Sequence, residues 1–436
     1  MKYRLLSIQF ICLLLLCSCA HHKQAESISM LHHQTIDLGE DFMGYGGFLA
    51  YSQGLVAGLE YAPSMQPFFC LKQDRTSQTF FRFGSKGRGP NEFLMPFSIQ
   101  YLNNQTIGVW DAMFNTYYEF AIPNEHEGIK IDKEIKFQAR STRIIKTAFN
   151  QYIGLASNEG MFILVDSTGA LINTFFEYPF QNSTEYKLTT RAHAYQGTLA
   201  INPSQNKFVY SSYHGEIIHF YEIENNNIET IAKIENEYPL YRIDENERAI
   251  GAAYGANGKN GYIATYATDN FVYAIFSGKT LLEQGKIVNF EGIILRIFDW
   301  KGALVKEYEL DVPCSYLCVS DDDRKIWAIA SMPKLDITMV LFELEHASEK
   351  EQVKESPMKQ EIKGELFMKE PPVSVGNIWD ISSLPDHVVQ GRNDGSVEFV
   401  YDTVKYMMRI DTSTVVYEGR KMNRLRPVLE EKKNHP

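Results

Sequence analysis

Short apolar and aromatic segments recur along the chain, each flanked by Gly, Asn or Asp residues of the kind that form turns. Six of them align as the centres of a repeat: Leu55–Tyr61, Thr106–Asp111, Tyr152–Ser157, Phe208–Tyr213, Phe271–Ser277 and Ile326–Ser331. Successive centres begin 46 to 63 residues apart. An interval near fifty residues, with four short strands in each, is typical of propeller blades. The pattern therefore predicts an all-β chain built as a six-bladed β-propeller.

The outer half of a blade is clearest in residues 160–176 and 292–310. In each, an apolar strand ends in or near Asp, a tight turn carries Gly169 or Gly302, and a strand of mixed polarity follows. Glycine suits these turns because it adopts positive φ without steric cost. Mixed polarity suits a strand at the rim, where one face meets water, whereas strands packed between blades should be almost continuously apolar.

A closed ring must also join its two ends. We expect the segment Gln34–Leu38 to supply the outer strand of the sixth blade, because this removes two exposed sheet edges. The predicted propeller then spans residues 34–345.

Residues 346–436 are predicted to form a charged linker and a small C-terminal extension. His346–Gly364 is a run of Glu, Lys, Gln and Ser that indicates a solvated linker or a charged helix. Val397–Asp402 and Tyr406–Ile410 have the composition of strands. These strands either form an appended module or pack on the ring.

Residues 1–18 have the features of a bacterial lipoprotein signal peptide. Basic residues precede the apolar run Leu5–Leu16, which is too short to cross a bilayer as a permanent helix. The sequence Leu16-Cys17-Ser18-Cys19 resembles a lipobox, in which signal peptidase cuts before an acylated cysteine. We therefore predict lipidation of Cys19 and attachment to a membrane through several acyl chains. The alternative is a plain secreted protein that is cut elsewhere nearby.

Residues 19–33 are predicted to be a flexible polar tether. In lipoproteins displayed on the cell exterior an acidic run usually follows the acylated cysteine, and Cys19 is followed by none. We therefore expect an outer-membrane lipoprotein of the cell envelope whose body faces the periplasm.

Charge and cysteine content narrow the classes of partner and of fold. The formal net charge of −11 argues against nucleic acid as a partner, because phosphate binding needs a basic surface. Beyond Cys19 the cysteines are Cys70, Cys314 and Cys318, too few for a disulfide framework. We interpret them as small buried side chains, although one of the last two could still pair with Cys70.

Three segments resemble the TolB-like six-bladed propeller family of exported bacterial proteins. Phe83–Phe93 matches a glycine loop that ends in Gly-Pro-x-Glu-Phe, and Asn270–Gly278 matches a strand ending in Tyr-Ser-Gly, with Phe276 in place of the tyrosine. Ile297–Gly302 matches a Phe-Asp-x-x-Gly turn. With the blade spacing, the resemblance covers residues 46–344 and implies the propeller fold. It implies no catalytic residues, since the family has no agreed set to carry over.

The glycine loop is the first candidate site. Its successive backbone N–H groups could cradle an anion, but the spacing fits neither a P-loop nor a dinucleotide motif. A structural role is the favoured interpretation, in which glycines allow a sharp crossing between blades, proline fixes φ and the glutamate caps backbone donors. The residues concerned are Gly84, Gly87, Gly89, Pro90, Glu92 and Phe93.

The second candidate site is the mouth of the channel. Some six-bladed propellers are sugar lactonases that hold a divalent cation through Glu, Asn and Asp in the channel. Glu159, Asn202 and Asp269 lie near ends of predicted inner strands and are the candidates, chosen on topology alone. The histidine spacings match no metal-ligand motif, and the run Asp321–Asp323 lacks the glycine and distal glutamate of a calcium loop. The plain explanation of that run is a solvated turn.

No nucleophile elbow, zinc-protease helix or comparable catalytic arrangement occurs in the chain. We therefore predict no catalytic residues, no metal and no cofactor. The preferred hypothesis is an envelope-tethered, non-enzymatic propeller that binds or scaffolds a protein, peptide or glycan through an aromatic-rich face or its channel. The alternative is a metal-dependent hydrolase or sugar-lactonase-like enzyme with its site in the channel.

Overall fold

A computed structural model describes the greater part of the chain. The described residues are 28–38, 42, 47–60, 66–73, 77–156, 160–179, 188–246, 249–283, 286–287, 290–332 and 337–344, followed by six strands between 367 and 431. The chain divides into two compact units, Met1–Ser348 and Glu349–Pro436.

The described residues of the first unit that lie in regular elements are almost all in β-strands. Its strands are β1 Ser29–Leu31, β2 Gln34–Ile36, β3 Leu49–Ser52, β4 Leu55–Leu59, β5 Phe68–Gln73, β6 Gln78–Phe83, β7 Ser85–Lys86, β8 Glu92–Phe93, β9 Pro96–Tyr101, β10 Thr106–Asp111, β11 Thr116–Ala121, β12 Ile131–Lys136, β13 Ser141–Lys146, β14 Tyr152–Ala156, β15 Phe162–Val165, β16 Leu171–Phe175, β17 Gly197–Ile201, β18 Lys207–Ser212, β19 Glu216–Glu224, β20 Asn227–Glu237, β21 Tyr241–Asn246, β22 Ala249–Tyr254, β23 Tyr262–Ala267, β24 Phe271–Phe276, β25 Leu282–Glu283, β26 Lys286–Ile287, β27 Gly292–Asp299, β28 Leu304–Val319, β29 Lys325–Ser331 and β30 Ile337–Glu343. Helix α1, Leu188–Ala194, lies between the third and fourth blades.

Blades one to four are separate four-stranded antiparallel sheets. They consist of β3–β6, β9–β12, β13–β16 and β17–β20, each with its strands in sequence order. The third and fourth strands meet in the predicted glycine turns, as at Gly169, whose φ is 89°. There Asp166 Oδ1 accepts hydrogen bonds from the N–H groups of Thr168 and Ala170, which fixes the turn before the outer strand begins.

Blades five and six share one long strand. The N-terminal part of β28 pairs with β27 to complete the sheet of β23, β24 and β27. Its C-terminal part, Cys314–Val319, pairs with β29 and opens the sixth sheet. The 16 residues of β28 therefore form both the outer strand of blade five and the inner strand of blade six.

The ring closes as the sequence predicts. Strand β2 pairs antiparallel with β30, with Thr35 opposite Val340, and so supplies the outer strand of blade six from the N-terminal side. The inner strands β3, β9, β13, β17, β23 and β28 each pack against the next, and β28 packs against β3. All six predicted repeat centres coincide with the second strand of a blade.

The predicted tether boundary at residue 33 is wrong for its described part. Ser29–Leu31 forms β1, which pairs in parallel with Tyr308–Leu310 on the outer part of β28. His33 then bonds Asp311 through both its backbone N–H and its ring. The open edge of blade five explains the difference, because its unpaired backbone groups accept one more strand whatever the polarity of that strand's side chains.

The core lies between the blades. Among the described residues, the buried apolar side chains form six clusters, one at each seam of the ring. At the seam of blades one and two, Phe68 packs edge-on against Phe93 at a centroid distance of 4.8 Å. Each blade is therefore held mainly by its two neighbours, which is why second strands such as β10 and β14 are buried on both faces.

The two ends of the ring differ. We call the end where the inner strands begin the front face and the end where they stop the back face. Three insertions, α1 and the hairpins β21–β22 and β25–β26, all belong to connections on the front face. The back face has short turns instead, such as Gln53–Gly54 between β3 and β4.

The second unit contains the strands β31 Phe367–Met368, β32 Ser374–Val375, β33 Ile378–Trp379, β34 Ser396–Tyr401, β35 Val404–Tyr417 and β36 Arg420–Glu431. Strands β31, β34, β35 and β36 form one sheet in that order. The two predicted strand-like pieces fall on β34 and the first half of β35. The predicted charged run His346–Gly364 lies outside the described residues.

Candidate functional site

A channel runs between the inner strands of all six blades. Its cavity has a volume of about 390 Å³. Residues from β3, β9, β13, β17, β23 and β28 line it. Arg143 lies at the front end of this lining, and Asp269 and Asp321 lie at the back end, so the two mouths carry opposite charges.

Bulges at the front ends of the inner strands direct side chains towards the channel mouth. In β13, Ser141 pairs with Ala156 but Ile144 pairs with Gly154, so one extra residue is accommodated around Thr142 and Arg143. The same shift occurs around Phe97 in β9. A bulge turns its side chain out of the regular alternation of the strand, which is why bulges are common beside binding sites.

Arg143 lies within a collar of aromatic side chains from four other blades. Its guanidinium carbon is 4.7 Å from the ring centroid of Phe48 and 4.6 Å from that of Phe97. Its Nη2 donates a hydrogen bond to the hydroxyl of Tyr213 at 3.1 Å. Tyr316 completes the collar through an edge contact with Phe48 at 5.3 Å. The rings hold the guanidinium by cation–π attraction without neutralising its charge.

No carboxylate among the described residues lies within ion-pair distance of Arg143. Its Nη1 donates to the Thr142 carbonyl, and its Nε is enclosed by protein and has no acceptor among the described groups. A buried N–H of a cation without an acceptor is costly, so this guanidinium is suited to gaining an anionic partner.

Beside Arg143 a second cavity, which we call the front pocket, opens on the front face between blades two, three and four. Its volume is about 530 Å³. The lining residues are Phe97, Ala112, Met113, Asn115, Arg140, Ser141, Thr142, Arg143, Gln196, Gly197 and Tyr213. The lining contains two arginines and no acidic residue, in a chain whose formal net charge is −11. Its electrostatic character is therefore opposite to that of the protein as a whole.

Exposed apolar side chains gather on the front-face connections. They are Met95, Met113, Leu240, Leu282 and Phe290, each at least 36% exposed. Phe290 makes an edge contact with Tyr213 of the collar at 4.8 Å. Exposed apolar groups around a pocket are typical of surfaces that bind a partner.

His214 lies beside the collar, in the turn between the second and third strands of blade four. Its ring lies 3.8 Å from that of Tyr254, at the end of the β21–β22 hairpin. Burial, with the nearby ring of His193 adding to it, lowers the pKa of His214 to about 4. The imidazole is therefore neutral at neutral pH, and its Nδ1 is enclosed without a partner among the described residues.

We expect acid to destabilise the ring partly through His214. Its folded-state pKa lies below the unfolded value near 6.5, so its stabilising contribution is complete above pH 6.5 and is lost as the pH falls towards 4. His214→Phe keeps an aromatic ring against Tyr254 and should reduce the loss of unfolding free energy between pH 7 and pH 4 by about 3 kcal/mol. Urea unfolding at a series of pH values measures this. His126→Phe, at a side chain 89% exposed, is the control, and an unchanged pH slope in His214→Phe would contradict the prediction.

Two of the three predicted channel-mouth residues meet at the back face. Asn202 Nδ2 donates hydrogen bonds to Asp269 Oδ1 at 2.6 Å and to Asn206 Oδ1 at 2.9 Å. Asn202 Oδ1 accepts the backbone N–H groups of Asn206 and Lys207, while Asp269 Oδ1 also accepts that of Ser204. Both side chains therefore fasten the turn of blade four to that of blade five, with both polar atoms of Asn202 and Oδ1 of Asp269 engaged.

The third predicted residue, Glu159, lies outside the described residues. Strand β14, which precedes it, runs away from the back face, where Asn202 and Asp269 lie. Within the part of the chain that the structure describes, no three His, Cys, Asp or Glu side chains are placed to share a metal ion.

The run Asp321–Asp323 does more than form a solvated turn. Asp321 Oδ2 accepts the backbone N–H of Gln53 in blade one at 3.0 Å. Asp323 accepts hydrogen bonds from Asn270 Nδ2 and from the Tyr273 hydroxyl in blade five. The turn thus links blade six to both of its neighbours, a role that the local sequence does not reveal.

The glycine loop joins blade one to blade two on the front face. Gly84 has a φ of 80°, and a Cβ added to Gly87 would lie 2.1 Å from Glu92 Oε2. Glu92 in turn accepts the backbone N–H of Gly89 at 2.5 Å. Phe93 is fully buried, and Pro90 is exposed at the loop tip. The carboxylate of Glu92 occupies the position at which an anion would have to bind.

The three described cysteines are buried and unpaired. Burial raises the pKa of the Cys70 thiol to about 11, so it stays protonated at neutral pH and is a poor nucleophile. The predicted lipidation site, Cys19, lies outside the described residues. No helix in the described part of the chain combines the length and hydropathy needed to cross a membrane.

Comparison with known proteins identifies the family. A sequence model of the family described as TolB-like 6-blade propeller-like matches residues 67–322. The chain belongs to this TolB-like family. The match includes all three segments that resemble the family, Phe83–Phe93, Asn270–Gly278 and Ile297–Gly302. No curated protein matches the chain.

Solved structures with similar folds are distant in sequence. The β-propeller domain of Cps50 (Swd1) from Myceliophteria thermophila is 11% identical, covering 68% of this chain and 82% of its own, with a TM-score of 0.36. A protein from Lactobacillus plantarum is 10% identical, covering 66% and 77%, with a TM-score of 0.38. A proposed 6-phosphogluconolactonase from Bacteroides uniformis is 12% identical, covering 87% and 98%, with a TM-score of 0.37.

Proposed function

We propose that this TolB-like protein is a lipid-anchored binding protein of the cell envelope. Acylation of Cys19 would hold it at the outer membrane with the ring in the periplasm, and the front pocket would bind an anionic group of a protein, peptide or glycan. The lipobox-like sequence supports the anchor, and the two unneutralised arginines of the front pocket support the ligand class. Both polar atoms of Asn202 are bonded within the protein, which favours a non-enzymatic role.

The observation that carries the proposal is the environment of Arg143. Four other blades contribute aromatic side chains to its surroundings, namely Phe48, Phe97, Tyr213 and Tyr316. Burial raises the pKa of Tyr316 to about 12, so its hydroxyl remains a hydrogen-bond donor at neutral pH. A fixed guanidinium with donor hydroxyls around it can recognise an anion with little reorganisation.

The test compares capture by the full-length protein with capture by its Arg143→Gln variant. Each is purified in detergent, immobilised and exposed to solubilised envelope, and the retained material is analysed for protein, peptide and sugar. We expect retention by the unaltered protein to fall at least tenfold in Arg143→Gln, since losing a charged hydrogen bond costs about 1.5–3 kcal/mol. Arg88→Gln, which removes an exposed arginine of the glycine loop, should retain the ligand. Equal retention by all three proteins would reject the proposal.

A metal-dependent hydrolase or lactonase with its site in the channel is the second candidate. The contact between Asn202 and Asp269 favours it, because it joins two of the predicted ligands at one mouth. Elemental analysis of the purified protein separates the two candidates. We expect less than one divalent ion per chain and no turnover of sugar lactones, whereas a stoichiometric ion that Asp269→Asn releases would favour the enzyme.

A further inference from the structure

The depth and lining of the front pocket narrow the class of ligand further than its charge does. Both Arg140 and Arg143 line it, and neither forms an ion pair with a described residue. Arg140 is exposed, and Arg143 lies deeper, where it lines both the pocket and the channel. A ligand that reaches Arg143 therefore passes Arg140 first, and its anionic group is its leading end.

Two polar side chains of the pocket, Asn115 and Ser141, are engaged within the protein. Asn115 Nδ2 donates to the carbonyls of Phe137 and Ala139. Ser141 Oγ bonds the Leu155 carbonyl and the Arg143 backbone. The two guanidinium groups are then the main donors of the lining, and charged donors bond an anionic oxygen more strongly than a neutral hydroxyl. A ligand with a carboxylate therefore matches this lining better than a neutral glycan.

Apolar groups make up the complementary part of the surface. Phe97, Ala112 and Met113 line the pocket, and Met113 is 61% exposed. Met95 lies beside them, its carbonyl accepting the backbone N–H of Ala112. Methionine side chains adapt to differently shaped apolar partners, which suits a surface that receives the side chains of a peptide.

A peptide carboxylate can come from the C-terminus or from an Asp or Glu side chain, and the position of Arg143 distinguishes the two. The guanidinium lies inside the collar, between Phe48 and Phe97 at the mouth of a channel of only about 390 Å³. The end of a chain can enter such a mouth, whereas an internal segment would have to double back within it. The geometry favours a terminal carboxylate over a side-chain carboxylate.

We infer that the front pocket binds the C-terminus of a peptide, with the α-carboxylate on Arg143 and the apolar side chain of the last residue against Phe97 and Met113. This inference rests on the proposed binding function and names its ligand. Arg140 attracts the carboxylate and contributes less to the bound state, because an exposed charge is screened by water and salt. The volume of about 530 Å³ suits one or two residues behind the carboxylate.

The test uses the full-length protein in detergent and a pool of N-acetylated tetrapeptides that end in Leu, Met or Phe. The pool is prepared twice, once with free C-termini and once as C-terminal amides, and binding is measured by saturation-transfer NMR and calorimetry. We expect the free acids to bind at least tenfold more tightly than the amides. Arg143→Gln should abolish this preference, Arg143→Lys should keep part of it, and Arg88→Gln should leave it unchanged. The ratio of acid to amide affinity is measured on the unaltered protein, so this part of the test remains valid even if a variant folds poorly.

Other outcomes overturn the inference in distinguishable ways. Amidated peptides with an internal Glu that bind as tightly as the free acids would reject the terminal carboxylate. Binding of glucuronic acid oligomers that depends on Arg143, without binding of the peptide pool, would reject the peptide and leave the proposed binding function intact. Failure of both peptides and acidic sugars to bind would reject the front pocket as an anion site and the proposed function with it.

Discussion

Replacement of Ile36 by Asp in the closing strand is expected to lower the free energy of unfolding by about 4 kcal/mol or more. Ile36 is only 3% exposed and packs in the cluster between blades six and one. The substitution removes apolar burial, which alone costs about 2–5 kcal/mol, and adds an unpaired carboxylate to the seam. Denaturant unfolding monitored by tryptophan fluorescence measures the change, with Trp327 of the same cluster as a reporter.

Thr35 provides the matched control for this prediction. It lies on the same strand, directly before Ile36, but its side chain is exposed. Thr35→Asp should change the free energy of unfolding by less than about 0.5 kcal/mol. A comparable loss of unfolding free energy in both variants would contradict the prediction. It would mean that the backbone pairing of β2 stabilises the closed ring, and that the packing of Ile36 between blades six and one does not.

Replacement of Phe93 by Ala in the glycine loop should destabilise the ring by about 3–5 kcal/mol. Phe93 is fully buried, with edge contacts to Phe68 at 4.8 Å and Tyr118 at 5.1 Å. It fastens the crossing between blades one and two to the core of both. Met95→Ala, two residues later and 36% exposed, is the control and should cost less than about 0.5 kcal/mol. Thermal unfolding compares the two, and equal midpoints would refute a structural role for the loop.

The repeat can be recognised in the sequence because the second strand of each blade is buried on both faces. Strands such as β10 and β14 are enclosed by neighbouring blades, so they are apolar at almost every position and stand out without any periodic pattern. The insertions α1 and β21–β22 could not be predicted in this way. They lie outside the radial core, so local composition gives them no distinctive signature.

The candidate site was only partly predictable for a different reason. Asn202 and Asp269 could be placed at one mouth because the ends of inner strands meet there in any propeller. Arg143 could not be singled out. It lies in a bulge, so its position does not follow the alternation of side chains along β13. The residues of its collar, Phe48, Phe97 and Tyr213, come from distant parts of the sequence. Two arginines, Arg140 and Arg143, near the start of an inner strand were the available signal, and no known motif surrounds them.

The strand shared by blades five and six affects how the ring unfolds. Since β28 runs from one sheet into the other, and Cys314 pairs with both Gly292 and Ala330, we expect the opening of one sheet to weaken the other. Hydrogen exchange should therefore report blades five and six as a single cooperative unit with one opening free energy, whereas blades one to four can fray separately. The ring would then contain five cooperative units instead of six, and the closing strand β2 belongs to the largest of them.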